Sequence, residues 1–464
     1  MSTQITGMSV DSAAGATEDH SAGPRSSAFL RLLFHHLDKS GTRYCVLHSW
    51  RKLPDELPSD LDIAVHPEDR ARLGVAFRRL SEDNFSPIQL INHNVNGYYF
   101  VFCWHSGKAL RTTAVDVIFE HRRRGLITAG GADVTATRVR CGEFWVASPA
   151  VEFSYLLQKK AAKGKVKPEQ AHRLQELVVL LGRSRAEKIA QEIFPTKWSQ
   201  DLVSACLDGT LPEILPRAQK LSWVTAVTRH PVKLLQYLAG DARRMLRRWR
   251  SPNGVLVAIL GPDGVGKSSV IASLHDQIGS AFWGERYFHW RPQFFARRRS
   301  TAPVTNPHAK PPRGSLASSL YLTAFLVDYW LGYAFQLRQL KPRSYFPLFD
   351  RYFYDVLVDP KRMRFGGPLW LARLYSRLVP SPDLVVVLDA DTETILARKA
   401  EVPPEEVSRQ REAFRRLPVE PSRLRIISAK ATREEVAYQV AATIAEYMSR
   451  RFAARHPEWL LTYS

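Results

Sequence analysis

The chain has 464 residues, of which 45% are apolar and 24% charged, so it can bury a sizeable core, and its length predicts two or three domains. Its four cysteines stand far apart in no paired spacing, which excludes a disulfide framework and a cysteine-based zinc site and favours the reducing cytoplasm. The 66 Lys and Arg against 45 Asp and Glu give a net charge of +21, which favours an anionic partner: nucleic acid, a membrane surface or a small phosphorylated ligand.

The start of the chain is rich in Ser, Ala, Gly and Thr and holds no apolar stretch, so we expect a disordered tail over residues 1–27 rather than a secretory signal. The longest apolar run, LYLTAFLVDYWLGYAF at residues 320–335, is short for a membrane span and holds Asp328 at its middle. Hydrocarbon penalises such a charge, so the run predicts a buried core helix. Both observations favour a cytoplasmic protein.

Residues 28–150 alternate β-type runs with helical stretches, a pattern that predicts an α+β domain with a mixed or antiparallel sheet. The predicted strands are RYCVLHSW, LDIAV, GYYFVFCW, AVDVIF and EFWVAS. Residues 151–245 have almost no strand signal and predict a helical region. Arginines followed by proline and glycine then predict a linker over residues 246–253.

Three carboxylates in the predicted α+β domain form a candidate second site. Asp60 and Asp62 lie two apart on one strand, so both point to one side of the pleat, and Asp116 lies on a later strand of similar character. Such a set can hold a pair of Mg²⁺ ions for nucleotidyl transfer. The arrangement resembles the nucleotidyltransferase superfamily, in which a Gly-Ser turn comes before the first pair; here that turn reads His48-Ser49.

The resemblance to nucleotidyltransferases continues in the helical region, where Lys159 and Lys160 stand in what is similar to the helical partner of that fold. Two alternatives stay open for this domain. It is an active nucleotidyltransferase, or it is a binding or vestigial domain, as the missing glycine before Ser49 favours.

From residue 254 to 464 the pattern becomes βαβα. Short continuous apolar runs such as VLVAIL and DLVVVLDA alternate with helical segments, which predicts an α/β domain with a parallel sheet and helices on both faces. The first of these runs leads directly into GPDGVGKSS, which satisfies the P-loop pattern G-x-x-x-x-G-K-[ST] at Gly261, Gly266, Lys267 and Ser268.

A P-loop between a strand and a helix predicts a nucleoside triphosphate site. Its glycines let backbone N–H groups converge on phosphate oxygens at a helix N-terminus, where Lys267 reaches the β- and γ-phosphates and the Ser268 hydroxyl ligates Mg²⁺. The predicted ATP-binding residues are Gly261, Pro262, Asp263, Gly264, Val265, Gly266, Lys267, Ser268 and Ser269. ATP and Mg²⁺ are therefore the expected cofactors.

Residues 254–450 resemble the thymidylate kinase-like branch of the nucleoside monophosphate kinases. The resemblance rests on GPDGVGKSS, on FDRYFYD at residues 349–355, on PDLVVVLDADTETILARKAE at 382–401 and on PPEEVSRQREAFRRL at 403–417. It implies that Asp263, Arg291, Arg351 and Tyr352 contact or order the acceptor. It also implies a catalytic set of Lys267, Asp350 and Arg351, with Asp350 as a second Mg²⁺ ligand, and a lid carrying Arg398, Arg409 and Arg411.

The same comparison leaves the acceptor open. HWRPQ keeps Arg291 and Pro292 where thymidylate kinases have Arg-Glu-Pro, but it lacks the glutamate, and the basic loop over residues 291–314 is long. A nucleoside monophosphate, dTMP first, is expected; the alternatives are a sugar or glycan of surface polysaccharide synthesis, and a non-catalytic ATP-dependent switch.

Three expectations concern partners. With no helix-turn-helix signature and no interleaved aromatic recognition motif, a specific nucleic acid partner is not expected. The segment RRMLRRWR at residues 243–250 combines arginines with Met245, Leu246 and Trp249, which leaves open contact with an anionic membrane surface beside the alternative of a solvated connector. A homodimer is also left open.

Overall fold

Two β-sheets organise the computed structural model, which describes residues 24–56, 60–94, 96–123, 126–229, 231–294, 311–399 and 402–460. One sheet is mixed and the other is parallel. Helices separate the two sheets along the chain and pack on both. The α/β class expected from the sequence is thus present. No helix in the described ranges is long and apolar enough to cross a membrane.

The amino-terminal sheet has eight strands within the described residues, in the order β3-β4-β5-β2-β1-β8-β7, with β6 paired to β5. The pairs β1–β8 and β2–β5 are parallel and the others antiparallel, so the sheet is mixed. Strands β3, β6 and β7 have no counterpart among the predicted strands. The bounds are β1 Tyr44–Val46, β2 Asp60–Val65, β3 Ser86–Asn94, β4 Asn96–Ser106, β5 Ala109–Arg123, β6 Leu126–Gly130, β7 Val139–Cys141 and β8 Phe144–Val146.

Helices α1 (Pro24–Lys39), α2 (Arg70–Glu82) and α3 (Gly131–Ala136) accompany this sheet. The predicted tail was wrong for residues 24–27, which open α1, because Phe29, two residues further on, is anchored in the core. Residues 1–23 lie outside the described part of the chain. Aromatic side chains dominate this core, and Trp459, from near the carboxyl end, joins it with its ring centroid 5.0 Å from that of Phe100.

The middle of the chain is helical, as predicted. Its helices are α4 Pro149–Lys163, α5 Pro168–Leu181, α6 Arg183–Gln191, α7 Thr196–Asp208, α8 Leu211–Arg229 and α9 Pro231–Arg250. The predicted linker over 246–253 was wrong in its first part, since residues 246–250 form the last turn of α9. The helix stops where Pro252 and Gly254 follow, because proline lacks the N–H that would continue it.

The carboxyl-terminal sheet is parallel throughout its five strands in the described residues, with the order β10-β11-β9-β12-β13. Alternate side chains of the strand β9 face opposite layers. Val257 and Ile259 pack in one cluster with α10 and α17, whereas Ala258 and Leu260 pack in another with α11. The strands are β9 Val257–Leu260, β10 Gly284–His289, β11 Tyr345–Asp350, β12 Leu384–Asp389 and β13 Leu424–Ser428. Burial on both faces explains why β12 reads LVVVLD.

The helices of this part begin with α10 directly after the P-loop. The helix predicted from the apolar run at residues 320–335 is α11, which continues through a π-helical segment, Tyr333–Leu337, into α12. The bounds are α10 Lys267–Ile278, α11 Ser315–Gly332, α12 Arg338–Leu340, α13 Asp355–Val358, α14 Leu369–Leu378, α15 Thr392–Arg398, α16 Pro404–Arg415 and α17 Arg433–Arg455.

The two sheets share a hydrophobic core. Ile88, Val101, Cys103 and Leu110, from β3, β4 and β5, belong to the same buried cluster as α10 and α17. Polar contacts reinforce the junction: the Gln89 side chain donates to Ala281 O at 3.0 Å. The amino-terminal sheet therefore covers two helices of the P-loop region instead of standing apart from it.

Candidate functional site

The P-loop lies between the end of β9 at Leu260 and the start of α10 at Lys267. Gly261 has φ +142°, and a Cβ there would lie 2.4 Å from the carbonyl oxygen of Leu388 in β12. Gly266, directly before α10, has φ +102°. Since L side chains rarely adopt such φ values, glycine is required at both ends of the turn. The two glycines therefore let the loop turn tightly from the end of β9 to the N-terminus of α10.

Lys267 folds back into the loop. Its Nζ donates to Gly261 O at 2.8 Å and Pro262 O at 2.9 Å, and it lies 3.6 Å from Asp263 Oδ1. The side chain is only 6% exposed. Burial, with a further contribution from the positive charge of Arg351, lowers the pKa of Lys267 to about 7. The ammonium thus sits where it would meet a phosphate held by the loop.

Asp350 stands at the carboxyl end of β11, paired in register with Ile259 of β9. Its Oδ2 accepts from Ser268 Oγ at 3.2 Å and Tyr287 Oη at 3.1 Å. Burial raises the pKa of Asp350, but His289 and Lys267 outweigh that effect and bring it to about 2. The carboxyl group is therefore ionised at neutral pH.

The other oxygen of this carboxylate supports a Mg²⁺ site. Asp350 Oδ1 is buried and has no hydrogen-bond partner among the described residues. A buried, ionised oxygen without a partner is costly unless a ligand satisfies it. One carboxylate and one hydroxyl fit Mg²⁺, which takes its remaining ligands from phosphates and water. No group of three or more His, Cys, Asp or Glu is gathered for a metal ion in the described ranges.

Asp263 gathers three cations beside the loop. Besides Lys267, its carboxylate pairs with Arg351 and with Arg362, which follows α13. Arg351 also donates to Asp355 Oδ1 at 3.0 Å. The structure thus brings the predicted Asp263 and Arg351 together, but Arg362 is a member that the sequence reasoning missed. The sequence marks Arg362 only as a basic residue in the segment after the Asp-Arg-Tyr motif.

Arg351 has φ +71°, a left-handed conformation that costs a non-glycine residue about 1–2 kcal/mol. Asp355 holds it there, because one carboxylate oxygen takes the guanidinium and the other accepts from Tyr352 N at 3.0 Å. Burial raises the pKa of Asp355 even though Arg351 opposes the shift. The motif Asp-Arg-Tyr-Phe-Tyr-Asp thus builds a rigid turn that presents one guanidinium.

Two predicted acceptor residues lie elsewhere. The Tyr352 side chain is fully buried and its hydroxyl donates to Pro380 O, so only its backbone N–H takes part in the turn. A contact of that side chain with an acceptor does not fit this burial. Arg291 faces α11, with Nε 3.8 Å from Asp328 Oδ2. The same ion pair accommodates the buried Asp328. The helix predicted to be buried is buried on one face only, since Leu320 and Trp330 are more than half exposed.

Of the three predicted lid arginines, Arg398 is beside the P-loop. Its Nη1 donates to Ala429 O at 2.9 Å and to Val265 O at 3.4 Å. On α16, Arg409 donates to Glu406 and to Val358 O, and Arg411 donates to Asp389 Oδ1 at 2.7 Å. The latter two guanidiniums are thus bonded to protein groups, and their lid role stays a prediction.

The second site gathers around Asp62. Strand register places Asp62 opposite Asp116, and Asp60 opposite Ala114, as the sequence led us to expect for neighbouring strands. Both carboxylate oxygens of Asp62 are engaged: Oδ1 accepts from Lys159 Nζ at 3.0 Å, and Oδ2 lies 2.9 Å from His48 Nε2.

Burial raises the pKa of Asp62, but His48 and Lys159 outweigh it and hold that pKa below its usual range. The predicted turn residue Ser49 is exposed, has φ +59° and lies with its Oγ 2.9 Å from His48 Nδ1. Neighbouring Lys160 is 5% exposed, and burial lowers its pKa to about 8. Both oxygens of the Asp62 carboxylate, on which a metal pair would depend, therefore already contact side chains of the protein.

Comparison with known proteins gives a short match. No family model matches the chain. A segment of 99 residues is 33% identical to the hemin import ATP-binding protein HmuV of Nocardia farcinica, over 20% of this chain and 34% of that protein. The chain thus spans about a third of the length of this curated relative.

Proposed function

We propose that this protein is an ATP-dependent phosphotransferase that moves the γ-phosphoryl group of Mg-ATP to a small acceptor. The observation that carries the proposal is one cluster around the P-loop: Lys267 inside the loop, the Asp350 oxygen that has no partner among the described residues, and the arginines that pair with Asp263. The match to a protein named for ATP binding is consistent with the nucleotide half of the proposal.

The chemistry needs positioned positive charge more than a covalent relay. The loop N–H groups and Lys267 hold the β- and γ-phosphates, while Ser268 and Asp350 would hold Mg²⁺, which neutralises charge on the phosphate oxygens when bound. Arg351 and Arg362 both pair with Asp263 beside the loop, and a planar guanidinium can bind an acceptor phosphate bidentately. An acceptor oxygen then attacks the γ-phosphorus and ADP leaves.

For the acceptor we propose a nucleoside monophosphate, with dTMP first, because the P-loop acid, the Asp-Arg-Tyr motif and the arginine-bearing helix resemble those of thymidylate kinases. A sugar or glycan is the second candidate, since the glutamate after Arg291 is absent. Most of the long basic loop that distinguishes the chain, residues 295–310, lies outside the described residues.

Release of ADP by the full-length protein tests both parts of the proposal. Nucleoside monophosphates, sugars and glycan fragments are screened one at a time, and we expect a nucleoside monophosphate to accelerate release. Lys267→Ala should remove turnover, and Ser268→Ala should lower it by about a hundredfold or more. Ser273→Ala, on the same helix with its hydroxyl bonded only to Ser269 O among the contacts described, is the matched control and should behave as wild type.

Two outcomes would contradict the proposal. Turnover that survives Lys267→Ala at the wild-type rate removes the site assignment. Tight ATP binding with slow ADP release that no acceptor accelerates instead supports the alternative of a switch, in which the ATP-bound state and not a phosphorylated product is the output.

A further inference from the structure

Helix α9 (Pro231–Arg250) packs against the rest of the protein with its polar side. Leu234 and Arg244 are buried, and Arg248 is half-buried. Arg248 Nη2 donates to Asn92 O of β3 at 2.6 Å, and Arg244 pairs with Asp241 on its own helix. These positions recur every three to four residues and define a single inward face. That face carries the charged residues Asp241, Arg244 and Arg248 beside Leu234, unlike the apolar inward face of a usual surface helix.

Six apolar residues of α9 point outward. At 100° per residue they fall within an arc of about 140°, and they run for about 25 Å along the helix. They are Val232, Leu235, Leu238, Met245, Leu246 and Trp249, whose exposures lie between 41% and 66%. We call these six residues the α9 stripe. The end of α8 adds exposed Val224 and Val227 just before it. Large contiguous apolar surfaces of this kind mark interaction sites.

Basic residues border the α9 stripe along one side. Arg243, Arg247 and Arg250 are all exposed, and at 100° per residue they fall within about 60° of Val232, at one edge of the stripe. Asp241, the acidic residue of the helix, already pairs with Arg244. The exposed part of α9 is therefore apolar in the middle and cationic along its edge.

We propose that α9 lies in the surface of an anionic bilayer, with the α9 stripe among the acyl chains and its basic border at the lipid phosphates. Trp249 and the aliphatic stems of arginine suit the boundary between hydrocarbon and headgroups. Contact with a second copy through the same stripe would bring two cationic borders together without acidic side chains on α9 to pair with them. Charge complementarity thus selects the lipid surface.

The test is flotation of the full-length protein with vesicles of phosphatidylcholine alone and of phosphatidylcholine containing phosphatidylserine. We expect binding to the anionic vesicles that weakens as salt rises. Arg243→Gln with Arg247→Gln should weaken binding about thirtyfold, from the contribution of each basic residue near a charged surface. Leu235→Asp with Leu246→Asp should abolish it; both side chains are more than half exposed, so the fold should persist.

A second exposed apolar helix supplies the control. In α14, Leu374 and Leu378 are 44% and 47% exposed, and Arg373 and Arg377 stand beside them. Leu374→Asp with Leu378→Asp should bind the vesicles as wild type does. Loss of binding in this variant but not in the α9 variants would overturn the proposal. The proposal would also be wrong if the wild type bound neither kind of vesicle, or bound both equally.

The oligomeric state in the absence of lipid distinguishes a membrane from a second copy of the protein as the partner of the α9 stripe. If sedimentation shows a dimer that Leu235→Asp with Leu246→Asp turns into a monomer, and vesicles bind neither form, a second copy covers the α9 stripe and the membrane proposal is wrong. If the wild type and all variants have the same oligomeric state and the flotation results are as expected, the membrane proposal is supported.

Discussion

Replacing Gly261 with alanine should disable the P-loop while leaving the protein folded. The added Cβ would lie 2.4 Å from the carbonyl oxygen of Leu388. That oxygen belongs to β12, which is hydrogen-bonded on both sides by β9 and β13 and has little freedom to move. The new side chain also has to adopt φ +142°, which alanine rarely does. The loop, and not the strand, therefore has to change.

The magnitude follows from these two penalties. A strained backbone conformation costs about 1–3 kcal/mol, and overpacking against fixed atoms costs about as much again. The sum is about 2–6 kcal/mol, and the loop avoids this cost by leaving its native conformation. Because apparent affinity falls with the population of the competent loop, ATP binding should weaken at least about thirtyfold.

Isothermal titration of the full-length protein with Mg-ATP measures the effect, and circular dichroism checks the fold. Gly182→Ala is the matched control: Gly182 has φ +78°, yet a Cβ there meets nothing within 4 Å, and it lies in the helical region between α5 and α6. It should cost stability without changing ATP affinity. If Gly261→Ala binds ATP as tightly as wild type, the loop does not hold the nucleotide in the conformation described.

Three further predictions follow from the contacts. Asp355→Asn should raise KM for the acceptor by about tenfold, with less change in ATP affinity, because the guanidinium of Arg351 loses a charge-assisted hydrogen bond. Steady-state kinetics measures this change, and an unchanged KM would contradict the role of Asp355 in positioning Arg351. Asp62→Asn should lower the midpoint of thermal unfolding at pH 7 because Lys159 is left unpaired. As the native pKa of Asp62 lies below its unfolded value, its stabilisation is complete above about pH 4 and is lost in more acid solution, so the difference from wild type should shrink there, whereas a constant difference would refute the ion pair as its cause. Cys141 should be the thiol that reacts first with a disulfide reagent at pH 8. Burial raises the pKa of the others to about 12, which slows them on the order of a thousandfold relative to an ordinary thiol, and rapid labelling before unfolding would contradict the burial of Cys45, Cys103 and Cys206.

The sequence by itself determined the features that depend on a few neighbouring residues. The run VLVAIL followed by GPDGVGKSS predicts β9, the loop and the start of α10, because a buried strand, glycines at strained φ values and a helix start leave local marks. Asp350 and Arg351, which the resemblance to thymidylate kinases singled out, lie where β11 ends. The parallel sheet follows from continuous apolar strands separated by helices.

Only the tertiary structure decided which distant groups meet. Arg362 reaches Asp263 across 99 positions of the chain, and Lys159 reaches Asp62 across 97; no local pattern encodes either pair. Tyr352 illustrates the opposite case. The motif predicts that it contacts or orders the acceptor, but its side chain is buried and its hydroxyl donates to Pro380 O.

The largest difference between prediction and structure concerns the separation of the two parts. Sequence composition predicts a domain boundary near residues 246–253, yet α9 covers residues 246–250 of that segment. The outer face of β3, β4 and β5 is buried against α10 and α17, and Trp459 closes the amino-terminal core. Burial of an apolar face is favourable wherever a complementary face exists, and strand periodicity reveals that a face is apolar without revealing what covers it. The partner of each face is settled by the packing of the whole chain.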